Sequence, residues 1–88
     1  MRFHATLTHT PESCPLGSGG GVNPVTDWPG RAKEVGVELI SAAVCAPAHV
    51  HFFTVETDDI GKLTELFRPY MGFAKSDITP VRDLMNPQ

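Results

Sequence analysis

Along this chain the spacing of apolar residues switches repeatedly between the period of a strand and that of a helix, and the order of those switches leaves few folds open. Residues 2–9 alternate, with Phe3, Ala5 and Leu7 on one side and Arg2, His4, Thr6 and Thr8 on the other. That is the pattern of a strand with one apolar face. Residues 28–35 place Trp28, Ala32 and Val35 at helical spacing, with Asp27 before them as N-cap, Pro29 in the first turn and Gly36 as the stop. Residues 37–46 are small or β-branched with few charges and predict a second strand, and Pro47-Ala48 predicts a tight connection. A third strand over 49–56 carries Phe53 and Val55 on one face, Val50 and Phe52 on the other. The spacing of Ile60, Leu63, Leu66 and Phe67 predicts a helix over 58–68, capped by Thr57 or Asp58 and ended by Pro69. Residues 74–82 supply a last strand.

The resulting order is β-α-β-β-α-β, which predicts an α+β, ferredoxin-like sandwich: a four-stranded antiparallel sheet with two helices on one face. One domain spans 1–88, with a Pro/Gly-rich loop over 10–24 and a loose tail over 86–88. Trp28, Phe52, Phe53 and Phe67 are the expected large core side chains. Two helices cover one face of such a sheet, yet the third strand is apolar on both sides. A strand of that kind is covered on both faces, so the sequence predicts a homodimer that pairs sheet to sheet.

Composition narrows the function. The net charge is −3 and the seven Lys and Arg are scattered between Arg2 and Arg82, so no basic footprint for nucleic acid is present. No apolar run approaches the roughly 18 residues needed to cross a bilayer, and the first residues lack the apolar core of a secretory signal. The chain therefore reads as cytoplasmic, where Cys14 and Cys45 stay reduced or metal-bound rather than bridged.

The element order, the segment Val55-Glu56-Thr57-Asp58-Asp59 leading into the second helix and Ile78-Thr79-Pro80-Val81 in the last strand resemble the small bacterial dimeric α+β-barrel proteins. The resemblance covers the whole chain. It implies two sheets facing each other across a cavity in a homodimer. Members of that group include monooxygenases, isomerases, haem enzymes and proteins of unassigned role, so the resemblance implies fold and assembly rather than a reaction.

The chemistry-bearing residues gather by topology. In this fold the third strand lies antiparallel beside the first, which brings His9 at the end of one next to His49 and His51 at the start of the other. Two residues apart on a strand, His49 and His51 share a face. Cys14 follows His9 by five residues and can fold back over the same edge at about 3.3 Å per residue. His9, Cys14, His49 and His51 are thus candidate ligands for zinc or copper, which accept imidazole and thiolate. Three ligands would leave an open catalytic position; four would close a structural site. Cys45, after Ala42-Ala43-Val44, reads as a small buried hydrophobe. His4, at the other end of the strand, faces a dimer cavity or solvent. The glycines at 17, 19, 20 and 21 lack the Gly-Lys-Ser/Thr ending of a phosphate loop and read as a linker or a hinged flap.

Three function classes follow. The first is a metal-binding homodimer, catalytic if one metal position stays open. The second is a metal-free isomerase or monooxygenase on a small organic molecule, with His51 or His4 as base. The third is a non-catalytic ligand-binding module, including one for haem held by an axial histidine, without covalent attachment since no C-x-x-C-H is present.

Overall fold

The computed structural model describes residues 1–10 and 24–85. Four strands and two helices alternate as expected: β1 (Arg2–Thr8), α1 (Trp28–Val35), β2 (Glu38–Cys45), β3 (Val50–Glu56), α2 (Ile60–Phe67) and β4 (Lys75–Val81). The sheet order is β2-β3-β1-β4, with every neighbouring pair antiparallel. This is the ferredoxin-like α+β arrangement predicted from the periodicity. Among the described residues no helix is long and apolar enough to cross a membrane.

Local chemistry sets the helix ends. The Asp27 carboxylate accepts from the Gly30 N–H at 3.0 Å, Pro29 sits in the first turn, and Gly36 closes α1 with φ 91°. That left-handed conformation strains any residue with a Cβ. At α2 the expected cap moves along by one or two positions. Asp59, rather than Thr57 or Asp58, accepts from the Gly61 N–H at 2.9 Å, while the Thr57 hydroxyl accepts from the Asp59 N–H at 3.2 Å. Three residues able to cap stand in a row there, and the two-step relay uses two of them. Ile60 consequently falls at the helix mouth and is 61% exposed, so it leaves the predicted stripe, which reduces to Leu63, Leu66 and Phe67. After α2 the chain tightens into a 3-10 turn over Arg68–Tyr70, where Pro69 ends the α-helix as expected.

The core lies between the sheet and the helices. Phe3, Ala5 and Leu7 of β1 and Phe53 and Val55 of β3 meet Ala32, Leu63, Leu66, Phe67 and Tyr70 from the other layer. Trp28 packs against it, its ring 4.5 Å from that of Phe53 and 6.0 Å from that of Phe67. In β2 a bulge at Ile40 shifts the register between Leu39 and Ser41. Beyond it, Ala42 and Val44 pair with Phe53 and His51 and take the helix side. Ser41, Ala43 and Cys45 pair with Thr54, Phe52 and Val50 and take the opposite, open face. Phe52, expected in the core, lies on that open face and is 41% exposed. Cys45, expected buried, is a free and exposed thiol at the end of β2. The 10–24 loop and the 86–88 tail fall almost wholly outside the described residues, as do the glycine run and the flap read from it.

Candidate functional site

Strand register decides which histidines meet. Leu7 of β1 stands opposite His51 of β3. Two residues further along, the His9 N–H donates to the His49 carbonyl at 3.1 Å, continuing the ladder past the end of β1. His9 therefore has the parity of Leu7, and His51 that of Leu7's partner, so both turn to the helix side. They are the buried polar residues of the described chain, with exposures of 8% and 9%. Their ring centres lie 6.0 Å apart.

His49 reaches the cluster by a different route from the one its spacing predicts. It is not a strand residue. Residues Ala46–Ala48 form a 3-10 turn, and His49 caps that turn with φ 57° and ψ 42°. Among the described residues it is the one non-glycine with positive φ, a conformation that raises the energy of an L-residue by about 1 kcal/mol or more. The expectation that His49 and His51 share a strand face is therefore corrected: the left-handed kink, not the two-residue period, sets the His49 side chain. It stands edge-on to His9, ring centres 5.2 Å apart.

Aromatic rings enclose the pair on the helix side. His51 stacks parallel to Phe53 at 6.0 Å and meets Tyr70 edge-on at 5.5 Å. His9 meets Phe73 at 6.3 Å. Burial in this wall raises the pKa of the Tyr70 hydroxyl, partly offset by a backbone hydrogen bond with Val25. Tyr70 and Phe73 are site residues that the sequence did not disclose, because they follow Pro69 in a segment with neither period. Their signal was the aromatic spacing of 70 and 73 alone.

The electrostatics favour neutral imidazoles. Burial lowers the His9 pKa first and the nearby His49 second; burial lowers that of His51 first and His9 second. Among the described residues four buried imidazole nitrogens have no hydrogen-bond partner: both of His9, and Nδ1 of His49 and of His51. Each such orphan costs about 1–3 kcal/mol. As the rings stand, no group of three or more His, Cys, Asp or Glu among the described residues is arranged to hold a metal ion. Cys14 lies outside the described residues. Cys45 pairs with Val50 on the open face, the side away from His9 and His51. His4 sits at the far half of β1 opposite Thr54 and Thr79, 6.5 Å from the Phe52 ring, so it faces the open side of the sheet.

A pH dependence follows with a definite sign. His9 and His51 bind protons less readily in the folded chain than in the unfolded one, whose imidazoles titrate near 6.5. Their favourable share of stability is complete above that unfolded value and is lost as pH falls through it toward the lowered folded pKa values. Urea midpoints of the metal-free protein are expected to fall between about pH 7 and pH 5. Midpoints that stay level over that range would mean the two rings are solvated and protonate freely.

No family model, no curated protein and no solved structure matches this chain.

Proposed function

We propose that this protein is a small homodimer that binds a transition-metal ion, zinc or copper, with His9, His49 and His51. The observation that carries the reading is the set of partnerless buried nitrogens on three clustered imidazoles. Two imidazoles on one tetrahedral ion, each with a metal–nitrogen bond of about 2.0–2.1 Å, put their ring centres roughly 5 Å apart. The His9–His49 separation of 5.2 Å agrees with that spacing, and 6.0 Å for His9–His51 is within a side-chain rotation of it. Lowered pKa values keep His9 and His51 in the neutral form that binds metal. An ion would also take up one orphaned nitrogen on each of the three rings. Cys14 enters as a further ligand on its sequence position alone, five residues after His9. With three ligands the ion would keep a position for water or substrate, and the protein would be an enzyme; with four it would be a structural centre.

The second copy is proposed for the open face. Its centre is formed by His4, Thr6, Phe52, Thr54 and Ala43, with Asp77 beside Thr6, while Lys75, Arg2 and Glu56 stand at its ends. A second copy seated on this face would cover Phe52.

Elemental analysis of the purified protein, followed by zinc and copper titration of the stripped form, tests the metal. About one ion per chain is expected; no uptake at all would refute it. Light scattering tests the dimer, with a mass twice 9.5 kDa expected and a mass of one chain against it. A metal-free reading, with His51 as general base, draws support from the neutral state of His51. It differs in predicting activity that survives a chelator.

A further inference from the structure

A groove of about 330 Å³ opens beside His51 on the helix side of the sheet. Its walls are Thr26 and Trp28 ahead of and at the start of α1, Ala42 and Val44 of β2, and His51 and Phe53 of β3. The bulge at Ile40 is what turns Ala42 and Val44 to this side. We propose that the groove binds a small uncharged ring compound bearing one hydroxyl, a ligand of the phenol class.

Three observations select that chemistry. The volume sits at the lower end of the range for small-molecule sites, about 300–1,000 Å³. No ionisable side chain except the imidazole lines the groove, so an ionised ligand would lose its hydration without a counter-charge. The half-buried Trp28, backed by Phe53 with ring centres 4.5 Å apart, offers a surface on which a flat ring packs. Against this apolar lining stand two polar groups, the His51 imidazole and the Thr26 hydroxyl. His51 is nine-tenths buried. A neutral imidazole has one acceptor and one donor nitrogen, and a ligand hydroxyl can pair with the imidazole or with the threonine hydroxyl. At the lip, Val44 is 57% exposed although it is apolar and on the core side of its strand.

The groove does not require a metal. His51 belongs to both sites, so the test uses metal-free protein, in which a failure to bind metal leaves this proposal untouched. Phenol is titrated while the emission of Trp28, the single tryptophan of the chain, is excited at the red edge of the indole band, where phenol does not absorb. A saturable change is expected, with amide shifts in NMR spectra confined to the neighbourhood of Val44, His51 and Trp28. Benzoate, the same ring with a charge, is expected to bind at least tenfold more weakly. Val44→Lys, at an exposed position, is expected to weaken phenol at least tenfold with an unchanged circular dichroism spectrum. Leu84→Lys, 75% exposed beyond β4, should leave it unaltered. A response to phenol that rises without saturating, or benzoate binding as tight as phenol, overturns the proposal on the wild-type protein alone; undiminished binding in folded Val44→Lys does so independently.

Discussion

Replacing His51 with Phe is expected to abolish metal uptake while leaving the metal-free fold as stable as before or more so. The ring position is kept, so the stack on Phe53 and the edge contact with Tyr70 survive. The partnerless Nδ1 is removed with its cost of about 1–3 kcal/mol. In the wild-type protein, metal at a hundred times its dissociation constant adds about 2.7 kcal/mol, which in a domain of this size raises Tm by roughly 10–20 °C. That rise should vanish in His51→Phe. His49→Gly provides the matching case. Glycine adopts the left-handed conformation at φ 57° without strain, and the backbone bonds from His9 N–H and to the Ala46 carbonyl are retained. The metal-free variant should therefore gain stability in part, and its metal affinity should fall at least tenfold. If both variants keep the full metal-induced rise in Tm, the histidines are not the ligands. Scanning calorimetry with and without added zinc or copper reads all of this in one series.

The same residues show what the sequence could disclose. The four strands and both helices were legible because each runs for seven or eight residues of matching period or composition, with Asp27, Pro29, Gly36, Pro47 and Pro69 marking boundaries between them. That His9, His49 and His51 gather at one end of the sheet was legible too, since it follows from the antiparallel neighbourhood of β1 and β3. Whether His9 and His51 share a face was not. That depends on a register fixed by long-range pairing, in which a one-residue slip reverses every side chain. His49 was misread because Pro47 inside a short connection completes a 3-10 turn, and the turn needs a residue of positive φ at its end. The bulge at Ile40 was also invisible: an inserted residue in a small, apolar strand leaves no mark in its spacing. Phe52 shows a different boundary. Its alternation with Phe53 was read correctly, but alternation says which side a residue takes and not what covers that side.

Phe53 and Phe52 make that boundary measurable. Phe53→Ala is expected to destabilise the protein by about 3–5 kcal/mol. The ring is 1% exposed and packs against Trp28 at 4.5 Å, Phe67 at 5.2 Å and His51 at 6.0 Å. It is a shared wall of both helices, and the space it leaves cannot close without moving β3. Small domains have about 5–15 kcal/mol in total, so the variant should unfold at low urea. A loss below about 1 kcal/mol would mean the aromatic cluster is not tightly packed. Phe52→Ala, one residue earlier on the opposite face, separates two physical situations. On a lone chain the half-exposed ring contributes little, and its removal should be nearly neutral at every protein concentration. In a sheet-to-sheet dimer the ring is buried by the second copy, and the cost of its loss should be largest in concentrated protein and shrink on dilution, because association and folding are then linked. Urea melts of the two variants over a hundredfold range of protein concentration therefore weigh the core and the open face against each other. Concentration dependence in wild type that disappears in Phe52→Ala is the expected result; its absence in both would assign the open face to solvent.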